Sequence, residues 1–117
     1  MKLTWLGHSG FRLEIENAVI LIDPWISGNP VFPEDQRDKA IHGATHVLLT
    51  HGHGDHSGDA LAIAKELKIP VAGIYDLINS WSTHQDINGI GFNKGGTVDL
   101  GGAKVTMVNA SHSSSLD

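Results

Sequence analysis

The chain of 117 residues contains no cysteine, and this absence removes several kinds of chemistry at once. Disulfide bonds, catalytic thiolates and sulfur-ligated zinc all require a cysteine side chain. Any bound metal must therefore be held by imidazole nitrogen and carboxylate oxygen. The eight histidines and the 13 aspartates and glutamates can supply these ligand atoms.

Long apolar runs and clusters of positive charge are missing too. No segment approaches the roughly 20 apolar residues of a membrane span. The first residues, MKLTWLGHSG, lack the apolar core and cleavage site of a secretory signal. The formal net charge is −5 and the eight lysines and arginines are scattered, so we expect no general nucleic-acid binding and no membrane binding. These features predict one cytoplasmic domain.

Hydrophobic periodicity predicts an α/β (α+β) fold in which helices cover a mixed β-sheet. The pattern predicts strands over residues 2–6, 11–16, 18–23, 45–50 and 69–74, with extended pieces near 91–100 and 103–110. Helices are predicted over 57–68 and 75–83, and one helical turn near 34–40 inside a proline-containing loop.

The segment THGHGDHSGD, residues 50–59, concentrates ligand-type side chains between glycines. In a nearly extended chain, His51 and His53 point to the same side and can bind one ion. Asp55 and His56 follow where the chain turns, so they can reach a second ion. Zinc, iron and manganese accept these ligands. A flexible polar loop and a purely structural metal site are the alternatives.

Four motifs together resemble the metallo-β-lactamase superfamily. They are THVLLT followed by HGHGDH, then WLGHSGF, LIDPWISGNP and NASHSSS. The last three are similar to its metal-dependent hydrolase branch, which includes ascorbate-6-phosphate lactonase-like proteins. That family's domain is an αββα sandwich of two similar halves. The resemblance covers residues 1–117 and implies that they correspond to the N-terminal half of such a domain.

The resemblance implies metal ligands residue by residue. His51, His53 and His112 would bind the first cation, and Asp55 and His56 would contribute to the second. The family takes a bridging aspartate and a last histidine from its second half, for which this sequence has no counterpart. The resemblance implies two Zn²⁺ ions as the cofactors, with Mn²⁺, Fe²⁺ and Ni²⁺ as alternatives.

Other polar residues have less specific surroundings. Asp23 resembles the family's aspartate that orients the metal-binding loop, or else it caps a turn before Pro24. His8 lies either at the rim of the substrate cleft or on the surface as an ordinary histidine. No motif surrounds the remaining histidines, which we expect to be structural or exposed: His42, His46 and His84.

The resemblance implies a metal-dependent hydrolase in which a metal-activated hydroxide attacks an ester, lactone or phosphoester bond of a small molecule. Asp55 would be the catalytic residue that orients the nucleophile and takes up a proton. The serines 113–115 lack the Gly-x-Ser-x-Gly pattern of a serine nucleophile. A di-iron oxidoreductase is a weaker alternative, because that use depends on an added flavin domain.

A non-catalytic metal-binding half-domain is the main alternative. Half of a sandwich leaves apolar sheet surface uncovered, which favours association. Val19, Leu21 and Val47 are candidates for that uncovered face. The chain would then form a homo-oligomer or pair with a missing second half.

Overall fold

The computed structural model describes residues 1–114, so Ser115 of the NASHSSS motif lies outside the described residues. Six strands form one mixed sheet in chain order. They are β1 (Lys2–Trp5), β2 (Phe11–Ile15), β3 (Ala18–Ile22), β4 (His46–Leu48), β5 (Val71–Ile74) and β6 (Gly89–Phe92). The first three strands pair antiparallel, whereas β3 to β6 pair parallel.

Four helices and a hairpin complete the described part of the chain. The helices are α1 (Arg37–Ile41), which follows a 3₁₀ turn at Glu34–Gln36, α2 (Gly54–Ser57), α3 (Ala60–Leu67) and α4 (Tyr75–His84). Strands β7 (Thr97–Leu100) and β8 (Ala103–Thr106) form a separate antiparallel hairpin. The predicted fold class, a mixed sheet covered by helices, is confirmed.

The helices cover one face of the sheet, as right-handed connections between consecutive parallel strands require. Leu21, Val47 and Val71 are fully buried there and pack with Ile63 and Ile78 of the helices. Each such side chain contributes about 1.5–3 kcal/mol of transfer free energy when buried. This face therefore carries the main core.

The other face of the sheet carries a second, smaller cluster. Ala18, Ile20 and Ala72 of the sheet are buried there against Leu100 and Ala103 of the β7–β8 hairpin. The hairpin thus packs on the sheet side that lacks helices. Further apolar side chains at the margin of this cluster are only partly buried: Ile22, Leu48 and Ile90.

The prediction of which sheet face is uncovered was wrong. Leu21 and Val47 are fully buried under the helices, and the partly buried Val19 packs against the same cluster. Alternation with a period of two correctly groups Val19 with Leu21. Because AVILI is apolar at every position, however, the sequence does not indicate which group faces the helices.

Two predicted elements are divided in the structure. The helix predicted over 57–68 begins earlier, at Gly54, and breaks between α2 and α3. The break places the buried Asp59 carboxylate against the backbone, where it accepts hydrogen bonds from the N–H groups of Ile26 (2.6 Å) and Ser27 (2.9 Å). The extended piece near 91–100 is β6 and β7, separated by a turn with Gly95 at φ +85°.

Strand ends also differ from the prediction, since β4 and β8 are shorter than the apolar patterns that predict them. Strand ends depend on hydrogen bonding between chain segments, which apolar pattern does not report. Within residues 1–114, every helix is too short or too polar to cross a lipid bilayer.

Candidate metal centre

The predicted ligands lie at the edge of the sheet where β3 and β4 end. Asp23 directly follows β3, and Thr50 and His51 follow β4. Because the two strands are parallel, their carboxyl ends meet at the same edge. Ligand sites in open α/β sheets characteristically lie just beyond this edge.

The structure brings all five predicted metal ligands together. His51, His53 and His112 form one group whose ligand atoms lie within 4.8 Å of one another. Their ring centroids are 4.7 to 4.9 Å apart in each pair. Asp55 and His56 belong to a second group of the same kind, and its third member is His8. The rings of His51 and His56 link the two groups, with centroids 4.1 Å apart.

Asp23 orients two of these histidines through hydrogen bonds. Its carboxylate accepts from the Thr50 backbone N–H (2.8 Å), from the Thr50 hydroxyl (2.5 Å) and from His56 Nδ1 (2.8 Å). The Thr50 hydroxyl has donated its only hydrogen to Asp23, so it accepts from His51 Nδ1 at 2.9 Å. Both imidazoles therefore carry hydrogen on Nδ1, which leaves Nε2 as the ring nitrogen that can face a cation.

The remaining ring nitrogen of His51 fits a metal site. Its Nε2 atom is shielded from solvent and has no hydrogen-bond partner among residues 1–114. A buried polar atom without a partner is costly unless a ligand satisfies it. Burial, and next the neighbouring imidazole of His56, lower the pKa of His51, against an opposing effect of Asp23. The neutral imidazole that results is the form that binds divalent cations.

The opposite side of the cluster is open. The Asp55 and His8 side chains are 46% and 41% exposed, and His8 Nε2 donates to Asp55 Oδ2 at 2.9 Å. This hydrogen bond, opposed by a smaller effect of burial, lowers the pKa of the Asp55 carboxyl. His8 thus contacts a predicted ligand directly rather than lying apart on the surface.

Sequence reasoning missed several supporting residues. Ser114 Oγ accepts from the Gly52 N–H at 3.1 Å, and Ser113 Oγ lies 3.2 Å from His53 Nε2. These contacts hold the segment carrying His112 against the histidine loop. The polar cluster SHSSS was the available signal for them. Thr50 carried no signal, because its role depends on the position of Asp23 across the sheet.

This mixed sheet, with histidines and aspartates gathered at the carboxyl ends of its strands, defines an α/β protein with a candidate metal site. The chain belongs to the beta-lactamase superfamily: the family described as "Beta-lactamase superfamily domain" matches residues 19–117. This finding confirms the resemblance that the four motifs indicate.

Curated relatives carry the name UPF0173 metal-dependent hydrolase. The protein from Paracoccus denitrificans is 85% identical over 117 residues, which are 100% of this chain and 51% of the relative. A protein from Cereibacter sphaeroides is 69% identical over 116 residues, 99% of this chain and 50% of the relative. The chain thus spans about half the length of the curated relatives it matches.

Solved structures show the same architecture. Igni18, described as a metallo hydrolase from the archaeon Ignicoccus hospitalis, is 34% identical with a TM-score of 0.80 and is matched over 96% of this chain and 49% of that one. BJP-1, a subclass B3 metallo-beta-lactamase of Bradyrhizobium japonicum, is 19% identical with a TM-score of 0.64, over 89% of this chain and 47% of that one. The second likeness concerns the fold alone.

Proposed function

We propose that residues 1–117 form the N-terminal half of a metal-dependent hydrolase that acts on an ester, lactone or phosphoester bond of a small molecule. The family membership and the names of the curated relatives support the reaction class. The position of the histidine cluster, open to solvent on the side of Asp55, supports access by a small substrate.

In this proposal His51, His53 and His112 hold the first cation, and Asp55 and His56 contribute to the second; we propose Zn²⁺ for both. Divalent cations bound there would lower the pKa of a water molecule and polarise the scissile carbonyl or phosphoryl oxygen. Imidazole nitrogen and carboxylate oxygen, without sulfur, suit zinc and also manganese, iron or nickel.

The observation that carries the proposal is the hydrogen-bond chain through Asp23 and Thr50. It places hydrogen on Nδ1 of His51 and of His56, and the Nε2 atom of His51 is buried without a partner among the described residues. A polar surface loop needs no such arrangement. We assign to the Asp55 carboxylate, which accepts a hydrogen bond from His8, the roles of orienting the nucleophile and taking up its proton.

A metal-binding half-domain without activity of its own is the second candidate. It is favoured by one specific observation, since the chain spans about half the length of its curated relatives. The partly buried side chains Ile22, Leu48 and Ile90, on the sheet face that carries the hairpin, are compatible with contact to a second half or to another copy of the chain.

The metal content of the purified chain tests the site. We expect near-stoichiometric zinc by elemental analysis in the wild type and at least one equivalent less in His53→Ala, because a ligand of the first cation is lost. His84→Ala, which changes an exposed histidine on α4, is the matched control and should retain the wild-type content. Equal metal in all three proteins would contradict the proposed ligands.

Hydrolysis assays separate the two candidate functions. Zinc-loaded chain is offered p-nitrophenyl acetate, a γ-lactone and bis-p-nitrophenyl phosphate as ester, lactone and phosphodiester probes. Turnover that disappears in His53→Ala supports the hydrolase half with activity of its own. Full metal loading without turnover of any probe supports the metal-binding half-domain instead.

A further inference from the structure

His8 lies in a turn that is built around an unfavourable backbone conformation. The turn follows β1 and is closed by hydrogen bonds from Leu6 N–H to Gly10 O (2.8 Å) and from Gly10 N–H to Gly7 O (3.0 Å). His8 itself has φ +53°, in the left-handed region, which is unfavourable for a residue that carries a side chain. Such a residue persists where its surroundings hold it, and function is a common reason.

Several contacts hold the turn against the metal centre. The indole Nε1 of Trp5 donates to His8 O at 2.9 Å, although Trp5 is 59% exposed. A Cβ at Gly10 would lie only 3.0 Å from Asp23 O, so the turn packs directly on the backbone of the residue that orients the cluster. The His8 ring meets Trp25 edge-on, with centroids 5.1 Å apart. The imidazole of His8 is therefore directed by its surroundings.

The distances around His8 suit a shared cation. Two ligands of one tetrahedral zinc ion lie about 3.4 Å apart, because bonds from zinc to nitrogen and oxygen are about 2.0–2.2 Å long. Asp55 Oδ2 lies 2.9 Å from His8 Nε2 and 3.8 Å from His56 Nε2, which brackets that value. The ligand atoms of all three residues lie within 4.8 Å of one another.

We propose that His8 is a ligand of the second cation and completes, with Asp55 and His56, a three-ligand site contributed entirely by this chain. The inference rests on the proposed function, which assigns only Asp55 and His56 to that cation. The cation takes the place of the proton that His8 Nε2 donates to Asp55, and the imidazole then carries its hydrogen on Nδ1. Two ions are consequently bound without ligands from a second half.

The competing role for His8 is to hold Asp55 by a hydrogen bond without touching metal. The variant His8→Gln separates the two roles. The glutamine amide N–H can donate to the Asp55 carboxylate, but the amide nitrogen has no lone pair for zinc and the amide oxygen is a poor zinc ligand compared with imidazole. A second variant, His8→Gly, removes the side chain and favours the left-handed backbone, so it guards against loss of the ion through strain in the turn.

The experiment measures zinc per chain after saturation and desalting, with circular dichroism as a check on folding. We expect two equivalents in the wild type, one in His8→Gln and one in His8→Gly. His84→Gln, an exposed histidine away from the centre, is the matched control and should keep two. Loading with Co²⁺ gives an independent readout, because the visible absorption of the second ion should disappear in both His8 variants.

Each outcome bears on a different statement. Two equivalents in His8→Gln would overturn the assignment of His8 as a ligand and indicate the hydrogen-bonding role. A single equivalent in the wild type would overturn the assignment of His8, because this chain would then not build the second site, while the first site and the proposed reaction class stand. A wild-type chain that binds no metal would defeat the proposed function itself.

Discussion

The two ends of β4 carry the same dipeptide, Thr-His, and in both the threonine hydroxyl bonds the histidine ring. Thr45 Oγ1 lies 2.8 Å from His46 Nδ1, and Thr50 Oγ1 lies 2.9 Å from His51 Nδ1. The two threonine–histidine contacts therefore have nearly the same length. Only the end with Thr50 and His51 belongs to the candidate metal centre.

The difference lies in what the rest of the chain brings to each end. At the first end, the Thr45 hydroxyl donates to the backbone carbonyl of Val19 (3.0 Å) and accepts from the Val19 N–H (2.9 Å). At the second end, the Thr50 hydroxyl donates to the Asp23 carboxylate, and the histidine ring faces three further imidazoles. A Thr-His pair thus sets a tautomer, and its neighbours decide whether that tautomer has a ligand to bind.

Removing Asp23 should have the largest effect on stability and zinc affinity. It takes away the acceptor that distinguishes the Thr50 end of β4 from the Thr45 end. In Asp23→Ala three part-buried donors lose the carboxylate that accepts from them, and a hydrogen bond to a charged group contributes about 1.5–3 kcal/mol. Loss of a partner that orients a ligand lowers metal affinity by about 10–100-fold. Urea unfolding of the metal-free chain and zinc titration measure the two effects.

The control for that variant is Asp38→Ala, since the Asp38 side chain is 96% exposed on α1. It should leave the free energy of unfolding and the zinc affinity close to their wild-type values. If Asp23→Ala bound zinc as tightly as Asp38→Ala, Asp23 would have no part in orienting the ligands.

Changing the two threonines compares the ends directly. Thr50→Val should weaken zinc binding by about 10-fold, because His51 loses the acceptor that sets its tautomer. Thr50→Ser should restore the affinity. Thr45→Val should leave zinc affinity unchanged and cost about 1 kcal/mol of stability, since the Val19 N–H loses its acceptor. If Thr50→Val and Thr45→Val bound zinc equally well, the proposed difference between the two ends of β4 would be contradicted.

The smallest expected effect is a change in the pH dependence of stability, and it concerns His46 at the other end of β4. Burial lowers the pKa of His46 below its ordinary value of 6.5. As the pH falls below about 6.5, the unfolded chain therefore binds a proton at His46 before the folded chain does. The free energy of unfolding falls with pH over this interval, until the pH has passed through the folded pKa. His46→Gln should lose less stability than the wild type between about pH 7.5 and about pH 5.5.

Urea unfolding of both proteins at the two pH values measures this difference without metal. The other histidines titrate in both proteins, so their contributions cancel in the comparison. A steeper loss of stability in His46→Gln than in the wild type would contradict the sign of the prediction.

Most of the fold could be predicted from apolar pattern, because the strands of the central sheet are short apolar runs bounded by turn residues. The faces of β3 could not, since AVILI is apolar throughout and both sides of it are covered to some extent. The break between α2 and α3 was also missed. It depends on Asp59 reaching Ile26 and Ser27, which are 33 and 32 residues away in the chain.

The amino-acid sequence by itself determined the kind of centre this protein can have. The absence of cysteine and the spacing of His51, His53, Asp55 and His56 restrict it to nitrogen and oxygen ligands in one loop, because side-chain chemistry and short-range spacing are local properties. Tertiary structure alone decided which ring nitrogens are free and that His8 reaches Asp55 across 47 positions. Those features require strands and turns from distant parts of the chain to meet at one edge of the sheet.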